Sequence, residues 1–591
     1  MKRSEVENRY KWAIEDIYAT DEAWEKDFEK ASKSLSFSKY AGKLGDKETL
    51  LKFLKADEEF CKLLEKLADY AHLRHDEDAD ISKYNGYFAK ANSLYAKYAA
   101  EYAFFEPEMA AKDEKYLRSL IDDKRFADYD YMIKRIIARK PHVLSEAEER
   151  LLGMSSEVFG TFHETFTMID SLDLPLPEIE WEGETQKLTH GLYGIILHSD
   201  NREKRKEAYE KYYAAYISLI NTITSTYAGS VKCDVLLSKA YKFNSCLECA
   251  LFGEDVDKKV YDNLLKAVDD NLPSMHRYIA DRKKILGYDK QYFYDIYAPL
   301  VQGADLKLSY DEAYEYVIRG LAPLGKEYQA LLKKGYDERW IDVEETEGKS
   351  GGAYSAGVYG VHPFVLLNYK PMIFDVFTIA HEMGHSLHTY FSQKNQPYAK
   401  SAYKIFVAEV ASTVNEVLLL KFMLSEAKDI NMKKYLLNYY LDSMRATLHR
   451  QTMFAEFEYE AHAMAEREEP LTKESLCNVY AEIGKKYYGE AIEHDYNIST
   501  EWCRIPHFYR AFYVYKYATG ITAAINIAKR ILSEGESAVK DYFKFLSGGG
   551  STDPVSLLKL AGVDLLTTKP FEVAMREFDE TLKEFENLMG I

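Results

Sequence analysis

Apolar residues recur three and four positions apart along most of the chain. Between about residues 10 and 150 one such stripe runs through Leu50, Phe53, Leu54, Cys61, Leu64 and Ala68, with Lys and Glu between them. This is the period of helices that bury a single face, and it predicts a helical N-terminal lobe. From about 172 to 195 the period shortens, and LDLPLPEIEWEGETQKLTHGLYGII alternates apolar and polar residues around a Glu-Gly pair. That pattern predicts a short β-hairpin and places an expected boundary between a lobe over 1–195 and a larger part over 196–591. Helical spacing resumes at DNREKRKEAYEKYY, so the second part is also expected to be α. Two glycine-containing breaks interrupt it. GKSGGAYSAGVYGVHPFVLLNY, over 348–369, predicts a loop leading into a strand at 361–369, where Pro363 suits a sheet edge. SGGGSTDP, over 547–554, predicts a flexible connector. Neither has the Walker spacing or the βαβ setting of a nucleotide site.

Composition sharpens this picture towards a mainly α protein. Glycine (30) and proline (14) are sparse in 591 residues against usual shares of about 7% and 5%. A chain this long exceeds what one hydrophobic core supports, so more than one lobe is expected. The net charge of −19 argues against nucleic acid or an anionic membrane surface as a partner. No apolar run approaches the roughly 18 residues of a membrane span, and no signal-peptide pattern opens the chain. Six cysteines scattered over the length do not form a secreted disulfide framework, and a cytoplasmic location is expected. Cys246 and Cys249 have CxxC spacing, but no second pair completes a metal site, so the spacing reads as a coincidence on a helix face.

The chemistry concentrates in DVFTIAHEMGHSLHTYF. On a helix, His381 and His385 are about 40° apart around the axis and about 6 Å apart along it, so both imidazoles can meet one zinc ion. Glu382 projects beside them, where it can take a proton from a water activated by that ion. A third histidine of the metzincin kind would stand at 391 after a glycine at 388, and those positions hold Phe391 and His388, which excludes that class. A two-His, one-Glu site instead needs a carboxylate from a second helix, and Glu409 in KIFVAEVASTVNEVLLLKF supplies it. Glu416, two turns further on, is expected to hydrogen-bond a ligand histidine, and His388 to be either a core histidine or a support behind the metal ligands. Three protein ligands with one open position suit amide hydrolysis.

Several ordered segments carry a family resemblance: YKWAIEDIYATDEAWEKDF, HPFVLLNY, AHEMGHSLH, FVAEVASTVNE, IPHFYRAFYVYKYATG and SGGGSTDPVSLLKLAGVD. Together they resemble the oligoendopeptidase F group of the thimet oligopeptidase-like zinc metallopeptidases over most of the chain. The resemblance implies a mainly α, two-lobed helical fold with a deep central channel and a small β-sheet near the zinc site. It implies one zinc ion on His381, His385 and Glu409, Glu382 as catalytic glutamate, and short unstructured peptides as substrates, cut at internal bonds. It also implies that a histidine and tyrosines after the zinc helices bind the substrate carbonyl. Here His507 and Tyr515 are the leading candidates, with Tyr509 and Tyr513 as substrate contacts, while Phe508 and Phe512 stand where the thimet branch has other aromatic residues. A helical 507–515 would put Tyr515 on one face with Phe508 and Phe512, and Tyr509 and Tyr513 on another. The strand at 361–369 would be an edge for pairing with an extended peptide. A zinc carboxypeptidase or dipeptidyl carboxypeptidase of related helical fold, and a peptide-binding module without catalysis, are the alternatives. Cleavage preference and oligomeric state stay open.

Overall fold

The computed structural model describes residues 1–301 and 307–591. Helices dominate, and five short strands form the two sheets found among the described residues. Helix α1 (Lys47–Glu77) starts where the Asp46 carboxylate accepts the Thr49 N–H, satisfying one of the donors that a helix start leaves unpaired. Its inner face buries Leu50, Phe53, Leu54, Leu64 and Leu67, with Cys61 and Ala68 half-buried at the margin. Helix α2 (Ser82–Tyr102) packs along it through Tyr87, Ala91 and Leu94.

Contacts gather the chain into two compact units, each built from three separate stretches. One takes Met1–Val143, Asp305–Phe422 and Ile527–Val563, and the other takes Leu144–Ala304, Met423–Asn526 and Asp564–Ile591. The units therefore do not follow a single cut near 195, and the hairpin expected there lies inside the second unit.

In the first unit β1 (Ile341–Asp342), β2 (Tyr354–Ala356) and β3 (Phe364–Leu366) form a sheet of order β1-β3-β2. Ile341 pairs with Val365 in parallel, and Tyr354 with Leu366 antiparallel. The strand expected at 361–369 is thus shorter, and it is central rather than an edge, with Phe364, Val365 and Leu366 all buried. Pro363 precedes the strand, where its missing N–H removes no ladder bond. The N-terminal turns are tied to this sheet through charge: Arg3 reaches Glu77 at 2.7 Å and Asp342 at 2.6 Å, and the buried Lys349 lies 2.7 Å from Asp342. Mutual pairing is what makes such buried charges tolerable. The sheet leads into helix α3 (Ile373–Asn395), which is followed by α4 (Ile405–Glu426).

The segment at 547–554 is packed, not flexible. A Cβ on Gly549 would come within 2.3 Å of the Lys400 carbonyl, and one on Gly550 within 2.4 Å of the Ala402 carbonyl. The Gly550 N–H donates to Lys400 O at 2.8 Å, and Gln396 Nε2 to Ser547 O at 2.8 Å. The glycines let this loop close against the end of α3.

In the second unit Glu178–Trp181 pairs with Glu184–Lys187. The two turn residues, Glu182 (φ 53°) and Gly183 (φ 86°), are both left-handed, as in the two-residue turns that match strand twist. Long helices, among them α5 (Arg450–Glu466), surround a tyrosine-rich interior that includes Tyr209, Tyr213, Tyr227 and Tyr261. Helix α6 (Tyr515–Glu534) begins in this unit. No helix among the described residues is long and apolar enough to cross a membrane.

Candidate active site

The glycine of HEMGH explains how α3 and α4 meet. A Cβ on Gly384 would lie 2.5 Å from Ser412 Cα and 2.8 Å from the Ala411 carbonyl, so only glycine permits this approach without a shift of backbone. Asn415 locks the crossing by donating to Ala380 O at 2.9 Å while accepting from the Tyr328 hydroxyl at 3.0 Å. With the helices this close, Glu409 on α4 reaches the histidines of α3.

The three side chains converge. His381 Nε2 and His385 Nε2 are 3.1 Å apart, and each lies 3.4 Å from Glu409 Oε2. For an ion bonded at about 2.0–2.1 Å, two ligand atoms of a tetrahedron are about 3.3 Å apart, so the observed triangle is one face of such a tetrahedron. No other group of three or more His, Cys, Asp or Glu ligand atoms comes together in this way among the described residues. Glu416 accepts from His381 Nδ1 at 2.5 Å, the hydrogen bond expected of it, and this leaves Nε2 as the nitrogen with a lone pair to offer. Burial opposes charge on His381, yet Glu409 and Glu416 outweigh it and lift its pKa to about 10. Burial works against ionised Glu409 too, but the two histidines hold its carboxyl well below the usual range. This cage is built for positive charge, as a divalent cation requires.

Glu382 follows His381 on α3, is 6% exposed, and has its carboxyl raised by burial despite both neighbouring histidines. His388 is a core residue: its ring stacks on Tyr403 at 3.7 Å, and burial pushes its pKa down to about 3. Cys246 and Cys249 sit on the helix Cys246–Glu254, with thiols pushed up by burial to about 12 and 11.

The segment with His507 belongs to the second unit and is not one helix. Pro506–Tyr509 is a single 3-10 turn, Phe512 takes a left-handed φ of 54°, and α6 begins at Tyr515. Tyr515 is 0% exposed and packs on Tyr261. Tyr509 stacks on Phe166 at 4.6 Å with its hydroxyl buried. Both hydroxyl-bearing rings pack into the unit's interior, and the two faces that a helical 507–515 would have do not form. His507 is exposed, and its neighbours are Tyr513, with ring centroids 6.1 Å apart, and Tyr517, whose hydroxyl lies 3.4 Å from Nε2. Partial desolvation of its ring by the neighbouring side chains, then Arg510 and Arg450, lower the His507 pKa and favour a neutral ring. Tyr517 was not singled out from the sequence. Its signal is only its place four residues after Tyr513, which the break at Phe512 brings onto the face of His507.

Comparison with known proteins places the whole chain in one family. The model of peptidase family M3 matches residues 195–577, and that of the oligopeptidase F N-terminal region matches 108–175. The chain is 44% identical to oligopeptidase PepF of Bacillus subtilis (strain 168), over 99% of this chain and 88% of that one. A crystal structure from Chlamydophila abortus superposes with a TM-score of 0.93 at 34% identity, covering 99% of both chains. The crystal structure of oligoendopeptidase-F from Enterococcus faecium gives 0.75 at 33% identity, covering 96% of this chain and 99% of that one. With the catalytic-family model spanning most of the chain and relatives sharing a third or more of its residues, the protein belongs to peptidase family M3 and is a metallopeptidase of the oligoendopeptidase F group.

Proposed function

We propose that the protein is a zinc-dependent endopeptidase that cuts internal bonds of short, unstructured peptides in the cytoplasm, with Glu382 as general base. The observation that carries this reading is the triangle of His381, His385 and Glu409, with Glu382 buried beside it on the same helix. Zinc bound there supplies a Lewis acid that polarises the scissile carbonyl and acidifies a water. The remaining work falls to side chains. Glu382 takes the proton of the attacking water and passes it to the leaving amine, and burial raises its carboxyl towards the range useful to a general base. Glu416 fixes the His381 tautomer through Nδ1. His507 is our candidate for stabilising the oxyanion, as the family resemblance implies. We assign the accompanying hydroxyls to Tyr513 and Tyr517 in place of Tyr515 and Tyr509, because only the former pair shares the His507 face. Peptide pairing with the sheet, expected at 361–369, would fall to the outer strand β2 rather than to central β3.

The test is an internally quenched peptide of about ten residues, too short for a stable fold, blocked at both ends. Wild type should cut internal bonds, lose activity to a chelator and regain it with zinc. Glu382→Gln should keep its metal and lose about 10²–10⁴-fold in kcat. Trimming of unblocked peptides alone would instead favour the carboxypeptidase reading.

A further inference from the structure

The ligand face of α3 continues past the histidines towards the start of the helix. At about 100° per residue Phe374, Thr378, His381 and His385 fall within about 60° of one another, with Thr378 about 4.5 Å and Phe374 about 10 Å along the axis from His381. A cavity of about 280 Å³ opens at that end of the stripe, walled by Phe374 and Thr378 of α3, by Leu367 and Tyr369 leaving β3, and by Gly352 before β2. Its walls are fixed. Asn368 Nδ2 donates to Ser350 O at 3.0 Å and Gly352 O at 2.9 Å, and the Tyr369 hydroxyl donates to Leu308 O at 2.7 Å. Gly352 has φ 81° and open space around a notional Cβ, so backbone rather than a side chain forms that wall.

The lining is mostly apolar. Phe374 is 63% exposed and Met372, beside it, 52% exposed, so the cavity opens to solvent through an apolar rim. The one acidic lining group, Asp375, already accepts the Lys370 N–H at 3.2 Å, which commits it to the helix start. An apolar cavity of about 150 Å³ suffices for a benzene ring, so this one admits the side chain of Phe or Tyr. Successive residues of an extended peptide are about 3.3 Å apart, so a residue flanking a bond held at His381 and His385 reaches a pocket one turn away.

We propose that this pocket is a substrate side-chain subsite and selects an aromatic residue beside the scissile bond. It rests on the reading that His381, His385 and Glu409 form the hydrolytic centre. The experiment compares blocked alanine-rich decapeptides carrying Phe, Leu, Lys or Ala at each central position, with cut sites located by mass spectrometry. The expected result is one flanking position at which Phe exceeds Ala by about tenfold to a hundredfold in kcat/KM, the range for burying such a side chain. Thr378→Trp, which fills the pocket, and Phe374→Ala, which removes its wall, should each bring that ratio to within about threefold. Binding of the same peptides to zinc-loaded Glu382→Gln, read by fluorescence anisotropy, needs no turnover. Discrimination there without cleavage by wild type would keep the pocket and sink the hydrolytic reading. A preference for Lys, a ratio unmoved by either substitution, or equal binding of all four peptides would overturn the subsite.

Discussion

Glu416 does not belong to the ligand triangle, yet its contact with His381 Nδ1 at 2.5 Å sets which nitrogen faces the ion. Removing a partner of this kind weakens metal affinity by about 10–100-fold. Glu416→Ala should raise the zinc Kd by that factor in a competition with a chelating indicator. Glu416→Gln should raise it less, because its amide oxygen still accepts the Nδ1–H. Equal affinity in all three proteins would show that the His381 ring is oriented by its packing alone. At this scale much of the sequence was readable, since helical geometry alone brings His381 and His385 together with Glu382 beside them, and Glu409 lies on the next long helix. What it did not expose was the closeness of the crossing. That depends on Gly384 meeting Ser412 and on Asn415 reaching Ala380 O, contacts that no spacing rule predicts.

The segment from Pro506 to Tyr517 shows where reading by period fails. A continuous helix would sort its aromatic residues onto two faces, but the left-handed Phe512 breaks it, at a cost of about 1–3 kcal/mol for a residue with a side chain. The offset comes from α5, 54 positions back in the chain, where buried Glu458 accepts the Phe512 N–H at 2.7 Å. A partner this remote leaves no trace in local periodicity, and the resemblance that put Tyr515 forward does not reveal that its ring is wholly buried. Burial raises the Glu458 carboxyl to about 8, against its neighbours His462 and Lys516 and with Asp234, while Tyr227 and Tyr261 also face it. His462, held by Asp234 at 3.2 Å, is raised as well. A carboxyl whose folded pKa exceeds its unfolded value near 4.5 gives stability that is complete below that value and is lost as pH rises to about 8. Wild type should therefore lose a few degrees of Tm between about pH 5 and 8, and Glu458→Gln, neutral throughout and still able to accept the Phe512 N–H, should lose less. Parallel Tm-versus-pH curves for the two proteins would mean that Glu458 is ionised throughout this range.

On the scale of the whole molecule, helix content and the hairpin were legible because each depends on a few adjacent residues. The two discontinuous units were not. Their membership is decided by contacts between stretches far apart in the chain, such as Arg3 with Asp342 and Gly550 with Lys400, and a hydrophobic period carries no information about such partners. The sheet shows the same limit: residues 361–369 signalled a strand, but its central place comes from pairing with Ile341 and Tyr354. Because His381, His385 and Glu409 all belong to the first unit, a bound ion stabilises that unit by mass action, by about 2.7 kcal/mol at a free concentration of 100 Kd. Removing it should speed amide hydrogen exchange in α3 and in residues 405–422 of α4. The effect should extend to residues 547–550, whose Gly550 N–H rests on Lys400 O just beyond α3. The hairpin Glu178–Lys187, held by its own register, serves as the internal reference and should keep its rate. Exchange in α3 and α4 that is indifferent to a chelator and to added zinc would mean that the three side chains hold no ion, however well their spacing suits one.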